Sequence, residues 1–173
     1  YTTLFRSAAC ASGGLAFSSA VDAVRAGSDV TLALGAEVHT TVSPRVGGQY
    51  LARASWFKKD HLIDDFVFPA MFARRVKACM EAGMVTERDL ALLSVKAYTN
   101  ANRNPLAHMH AVKMSLEDCE HVSENNPYFI QNPDYKEYMK VSDCSQVSDG
   151  GAGVVLASEE GLRRLNKRPE DCV

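Results

Sequence analysis

The stretch from Ala8 to Phe17 reads Ala-Ala-Cys-Ala-Ser-Gly-Gly-Leu-Ala-Phe. It sets Cys10 between a short apolar lead-in and a Gly-Gly pair that opens a long helical pattern of small residues. A thiol there lies beside the unpaired N–H groups of a first helical turn, whose partial positive charge favours the thiolate. Such a position suits a nucleophile, and Cys10 is the candidate. The competing reading of a single cysteine is a small buried hydrophobe. Metal chemistry has weaker support. His108 and His110 are spaced i and i+2, which puts them on different faces of a helix. No Cys-x-x-Cys pair occurs, which argues against a zinc ribbon or a dithiol redox motif.

Composition bounds the rest. The 173 residues are enough for one domain with a real core. A hydrophobic content of 46% with 23% charged residues is that of a soluble globular chain. The formal net charge of −2 gives no strong field toward nucleic acid or an anionic membrane. The longest apolar runs fall short of a bilayer span. Five widely spaced cysteines, Cys10, Cys79, Cys119, Cys144 and Cys172, point to free thiols in an intracellular reducing compartment: cytoplasm, peroxisome or mitochondrion. Cys79, Cys119 and Cys172 are expected to be inert.

Positioning Cys10 requires elements on both sides of it. The chain opens Tyr-Thr-Thr-Leu-Phe-Arg-Ser, which is also the translation of TAC ACG ACG CTC TTC CGA TCT, the tail of a common sequencing adapter. Residues 1–7 are therefore read as a library artefact and set aside; the alternative is a genuine strand leading into Cys10. Ser12 to Ala26 is helical and nearly apolar all round, with Gly27 at the C-cap position, so it is expected to be buried on most sides. Val30-Thr31-Leu32-Ala33-Leu34, ended by Gly35, reads as a central strand of a parallel sheet. Strand end, helix and strand make a βαβ unit, with a right-handed crossover and Cys10 at the carboxyl edge of the sheet.

About 100 mainly helical residues follow. Ser43 to Gly48 reads as a loop, and Trp56 to His61 as a charged, aromatic segment. A helix is predicted from Pro69 at N1 to Gly83, with Met71, Phe72, Val76 and Met80 as its apolar stripe. Thr86 and Asp89 form a capping-box-like start to a second helix through Leu90, Leu93, Val95 and Ala97. Asn104-Pro105 starts a third, containing Leu106, Met109 and Val112; Asn126-Pro127 and Asn132-Pro133 mark turns. The α/β pattern resumes at Ser148-Asp149-Gly150-Gly151-Ala152-Gly153-Val154-Val155-Leu156-Ala157-Ser158 as a buried strand closely packed by other backbone. Ser158 caps a last helix with Glu159 and Glu160 in its first turn and Arg163 and Arg164 in its last. Two strands are not a finished sheet.

Cys-Ala-Ser-Gly opening a helix, a strand ending near Gly35-Ala36-Glu37, a helical insertion and Ser-Asp-Gly-Gly-Ala-Gly-Val-Val-Leu-Ala-Ser, in that order, resemble the thiolase family over Ala8 to about Leu165. Asn-Ala-Asn-Arg-Asn-Pro, residues 100–105, looks most like the sterol-carrier-protein type. The resemblance implies an α/β class: a partial thiolase fold, an internal fragment of the N-terminal half of a five-layered αβαβα arrangement. Its first strands and C-terminal half would be missing. The implied division is core α/β over 8–49, an inserted helical loop domain over 50–141, and core again over 142–173.

It further implies acyl transfer: thiolysis of a 3-oxoacyl-CoA or condensation of acyl-CoAs, in fatty acid and lipid metabolism, with Cys10 as the acylated nucleophile. The Cys10 amide would be one donor to the thioester oxygen. Coenzyme A is then a substrate, and no cofactor or metal is implied. Gly13 and Gly14 are read as structural, allowing the turn and close packing at the helix start. Where many thiolases carry a His-Met pair against pantetheine, this chain reads Phe68-Pro69-Ala70-Met71, so Met71 is the match and the histidine is absent; core packing is the competing role of Met71. His39 is taken as structural, and Lys58-Lys59 and Arg74-Arg75 as solvated charge, with a basic face toward the 3′-phosphate of CoA as the other reading. Ser142-Asp143-Cys144 is not the His-Asp-Cys motif of sterol-carrier-type thiolases, since serine replaces the histidine. A homo-oligomer, dimer or tetramer, is implied for the full-length protein, and the 173 residues alone are expected to be inactive. The alternatives are a catalytically silent thiolase-fold protein that binds acyl-CoA or lipid, and a flavodoxin-like nucleotide-binding module. The second lacks a G-x-G-x-x-G or P-loop signature, and the long insertion disfavours a ketosynthase.

Overall fold

The computed structural model describes residues 7–173, so the adapter reading of the first seven residues lies outside them except at Ser7. The described chain is a mixed α/β structure that divides into two compact units. One comprises residues 7–38 and 149–173, the other His39–Ser148.

In the first unit, α1 (Ser12–Arg25) is followed by β1 (Val30–Glu37), and the returning chain supplies β2 (Gly150–Ala157) and α7 (Glu159–Arg164). The end of α1 is set by Gly27, at φ +104, where the Gly27 amide donates to Val24 O and the Ser28 amide to Ala23 O. β1 and β2 pair antiparallel, from Val30 opposite Ala157 to Glu37 opposite Gly150. This corrects the parallel sheet expected from the apolar run: such a run reports suitability for burial, and direction depends on how the chain returns. No strand precedes α1 among the described residues, so the βαβ unit is not formed there.

Burial also departs from expectation. Thr31 and Ala33 of β1 are half-buried, and Thr31 Oγ1 donates to Ala20 O of α1 at 3.2 Å, so α1 covers this sheet face. The opposite face carries Leu32, Leu34 and Val155, which are 59%, 66% and 60% exposed. Of α1, only Ala20 is buried. The helix is apolar all round, but within this unit it has a sheet on one side only.

The start of β1 is tied to α7 by backbone. The Ser158 amide donates to Asp29 O at 2.9 Å, Ser158 Oγ accepts from the Gly161 amide at 3.0 Å as N-cap, and Arg164 pairs with Asp29 at 2.8 Å. Glu159 and Glu160 in the first turn and Arg163 and Arg164 in the last match the expected complement to the helix dipole. Gly161 is buried, and a Cβ there would overlap the Asp29 carbonyl.

The second unit holds α2 (Pro44–Ala52), α3 (Phe57–Asp60), α4 (Val67–Glu81), α5 (Glu87–Arg103) and α6 (Leu116–Glu120), with short 3-10 turns at Lys136–Tyr138 and Val141–Asp143. α2 replaces the expected Ser43–Gly48 loop: Ser43 Oγ caps the Val46 amide and Pro44 stands at N1, a start signal strong enough to carry the helix through Gly47-Gly48. The expected Asn104-Pro105 helix is also absent, and the chain there runs in turns. Asn104 Oδ1 accepts from the Leu106 amide, and this local bond competes with a helical start.

α4 begins two residues before Pro69, and its core stripe is Val67, Ala70 and Ala73 rather than Met71, Phe72, Val76 and Met80. Ala70 and Ala73 pack with Ile130 and Met139, flanked by Ile63, Phe129 and Tyr138. Alanines at i and i+3 let the irregular 129–139 segment approach the helix backbone closely. Gly83, at φ +68, ends α4 as expected.

The predicted capping box is present in α5, where Thr86 and Asp89 bond each other's amides, and a second one, Ser115 with Asp118, starts α6. Those bonds lower the pKa of Asp89 and Asp118, the side-chain bond from the capping hydroxyl being the larger cause. A carboxylate with a depressed folded pKa stabilises the fold above its unfolded pKa, and that contribution is lost as pH falls through the folded value. Thermal melts of the chain between pH 6 and pH 3 are therefore expected to fall less steeply in Asp89→Asn and Asp118→Asn than in wild type; equal slopes would count against the boxes. In the first unit, Gly161→Ala is expected to cost roughly 1–3 kcal/mol by overpacking against Asp29. Gly14→Ala, in open space on a helix, is expected to gain up to about 1 kcal/mol. Denaturant titration checks both, and a neutral Gly161→Ala would refute the close approach.

Candidate functional site

Cys10 sits two residues before α1, exposed, on a tight turn of residues 8–12. Ala11 and Ser12 donate their amides to Ala8 O at 3.0 Å and Ala9 O at 3.1 Å. Ser12 Oγ accepts from the Ala8 amide at 2.9 Å and donates to Ala9 O at 2.8 Å. The turn forces Ala9 to φ +48, a left-handed conformation that costs a residue with a Cβ about 1–2 kcal/mol. Ser12 thus holds a strained turn that presents Cys10 at the mouth of the helix. The expected strand end at Ala8–Cys10 is this turn instead. Gly13 and Gly14 have ordinary helical backbone and open space around them, so neither a special turn nor close packing requires them, contrary to expectation. Among the described residues, no side chain forms a hydrogen bond or ion pair with the Cys10 thiol.

The other thiols occupy different surroundings. Cys119 is buried on α6 and Cys144 half-buried after the Val141–Asp143 turn, its Sγ 3.4 Å from Met139 Sδ. Burial, and then the Asp143 carboxylate, push the Cys144 thiol up to about 11. Cys119 is raised by burial first and then by Asp118 and Asp143, against smaller opposing effects of Ser142 and Lys140. Neither is a thiolate at neutral pH. Cys79 is half-buried on α4, and Cys172 is exposed near the chain end.

The remaining sequence candidates lie elsewhere, in the second unit. Met71 is half-buried on α4. The His39 ring lies against Gly47, where an added Cβ would stand 3.4 Å from its Nδ1. His110 Nδ1 faces Ala101 O at 3.3 Å, and no group of three or more metal-ligating side chains occurs among the described residues. Lys58, Arg74, Lys59 and Arg75 are exposed; the last two stack over Trp56 and Phe72. Asp143 forms a buried ion pair with Lys140 at 3.6 Å, so the Ser142-Asp143-Cys144 segment holds charge for structure. No helix among the described residues is long and apolar enough to cross a membrane.

The sequence reading missed two buried polar hubs. Asp64 Oδ2 accepts from the Gln131 and Asn132 amides, at 2.7 and 2.9 Å, and Oδ1 from the Phe66 amide at 2.9 Å. Asn126 donates to Asp118 O at 2.9 Å and accepts from the Ser142 amide at 2.9 Å. The Asn-Pro signal at Asn126 marks a turn, but not what its side chain does.

The fold and site define a mixed α/β chain with an exposed helix-start cysteine and a largely helical second unit. No family model matches it. Among curated proteins it is 30% identical over 164 residues to an acetyl-CoA acetyltransferase of Methanothermobacter thermautotrophicus, covering 94% of this chain and 39% of that protein. It is 32% identical over 159 residues to the acetyl-CoA acetyltransferase of Methanocaldococcus jannaschii, covering 91% and 37%. It is 29% identical over 163 residues to the benzoylsuccinyl-CoA thiolase subunit BbsB of Thauera aromatica, covering 93% and 38%. The chain belongs to the thiolase family, and it spans about two fifths of the length of these relatives.

Thiol reactivity is expected to follow the surroundings. With iodoacetamide at pH 8, mass spectrometry should find Cys10 and Cys172 modified first and Cys119 and Cys144 protected, with the Cys144 rate still rising toward pH 11. Modification of Cys144 as fast as Cys10 in the folded chain would contradict the packing described.

Proposed function

We propose that this chain is part of a thiolase-type acyltransferase of the sterol-carrier type, in which Cys10 carries the acyl group. The observation that supports this most is the extended match to proteins named acetyl-CoA acetyltransferase, together with an exposed cysteine held at a helix start. In the thiolytic direction the Cys10 thiolate attacks the 3-oxo carbon of a 3-oxoacyl-CoA. The bond between C2 and C3 breaks, its electron pair leaves with the acetyl-CoA fragment, and that carbon takes a proton. Cys10 is left as an acyl thioester. The thiol of a second CoA gives up its proton and attacks this thioester, so that acyl-CoA departs and the Cys10 thiolate returns.

The free N–H groups at the start of α1 would favour the thiolate, and on this reading the Cys10 amide would be one donor to the thioester oxygen. Among the described residues no side chain is hydrogen-bonded to or ion-paired with the Cys10 thiol. General acid and base would come from other parts of the full protein, and the 173 residues alone would not turn over. Acyl-CoA and CoA are the partners this reading requires, and the full-length protein would assemble as a homo-oligomer. Met71 is kept as a contact to the pantetheine arm.

The test is to incubate the full-length protein with an acyl-CoA, quench in acid, and look for the acyl mass on the peptide containing Cys10. Wild type is expected to carry it and Cys10→Ala to lose both adduct and thiolytic turnover, while the 173-residue chain shows no turnover. Binding of acyl-CoA without adduct would favour a silent acyl-CoA-binding protein. Met71→Ala is expected to raise the KM for CoA about threefold at unchanged kcat, the pattern of lost uniform binding.

A further inference from the structure

Residues 100–105, the Asn-Ala-Asn-Arg-Asn-Pro run, have a visible structural task. Asn102, in the last turns of α5, donates from Nδ2 to His110 O at 2.9 Å and to Val112 O at 2.7 Å. One amide therefore clamps two points of the irregular 104–114 segment to the helix. The clamped segment forms a wall of a cavity of about 360 Å³ within the second unit. Tyr98 of α5 and Ser142 of the Val141–Asp143 turn line it from other sides.

The lining is chemically one-sided. Met109 and Met114 give flexible thioether walls suited to an unbranched chain. Lys113, Tyr98 and Asn125 bring hydrogen-bond donors with no partner among the described residues, and no carboxylate lines the cavity. Ser142 is buried, and its hydroxyl is hydrogen-bonded to the Cys119 thiol, so it contributes a closed wall rather than a free polar group. The Asp143 carboxylate next to it is paired with Lys140, leaving Lys113 as the cation of this lining. A single positive charge matches a monoanion. The volume is at the small end of ligand pockets, ~300–1,000 Å³, and fits a short aliphatic acid rather than a whole acyl-CoA.

We propose that this cavity binds an unbranched aliphatic monocarboxylate, with Lys113 as its charge partner and Asn102 as the residue that holds the wall in place. This goes beyond the acyltransferase reading and does not involve Cys10. The probe is octanoate, titrated calorimetrically into the 173-residue chain with its helical circular dichroism as the control for folding. One saturable site is expected. Lys113→Met should weaken it at least tenfold, and octylamine, which has the wrong charge, should not bind. Asn102→Ala should weaken it similarly with Lys113 intact; if that variant unfolds, Met109→Trp, which fills the space, should remove binding from a folded chain. Absence of saturable octanoate binding, equal binding of octylamine, or full affinity in Met109→Trp would overturn the proposal. Stoichiometric displacement of octanoate by CoA would also overturn it, by giving the cavity to the coenzyme.

Discussion

The second unit depends on backbone hydrogen bonds that its own secondary structure does not supply. From His121 to Ser148 the chain forms no α-helix or strand beyond two 3-10 turns and isolated bridges, yet Ile130 and Met139 from this stretch are core residues. A buried N–H without a partner costs about 1–3 kcal/mol, so the irregular segment can pass through the interior only where side chains replace the missing ladder. Asp64 does this for Gln131 and Asn132, and Asn126 for Ser142. Ser94 of α5 adds a bond to the Ser142 carbonyl at 2.8 Å. The apolar cluster around Ala70 and Ala73 forms against a segment that these three polar residues hold in shape.

The first unit solves its problem by close backbone approach. α7 can start where it does because Gly161 has no Cβ to meet the Asp29 carbonyl, and the same carbonyl accepts from the Ser158 amide. The entry to β1, the exit of β2 and the cap of α7 thus share one oxygen. Antiparallel register between β1 and β2 follows directly, since Ala157 must lie opposite Val30 for Ser158 to reach Asp29.

What the sequence made legible was punctuation. Thr86 with Asp89, Ser158, and Gly27 and Gly83 all act through bonds between residues within five positions of one another, and each stands where local pattern places it. Ser43-Pro44 carries a local signal of the same kind for α2, and it outweighs Gly47-Gly48. What was not legible was non-local. The direction of β1, the face of α4 that is buried, the bonds of Asp64 to Gln131 and Asn132 and that of Asn126 to Ser142 all depend on chain 16 or more residues away. Large apolar side chains also misled at α4, because the tightest contact there uses alanines and leaves Phe72 exposed. Cys10 was legible as a thiol ahead of a helix; the left-handed Ala9 beside it was not, because alanine carries no sequence mark of that conformation.

That turn bears on how a helix-start cysteine is held ready. A thiol gains from the helix N-terminus only within the first turn's reach, and Cys10 lies just outside α1, so its orientation depends on the residues that link it to Ser12. Ser12 is both the first residue of α1 and the side chain that closes the loop, bonding the Ala8 amide and the Ala9 carbonyl on the far side of Cys10. Those two bonds offset the cost of a left-handed Ala9 and leave the Cys10 side chain exposed rather than folded into the protein. The Ala-Ala-Cys-Ala-Ser order is therefore a unit: the serine two positions after the cysteine closes the turn that carries it, and the alanines on either side of the cysteine leave room for the turn to close.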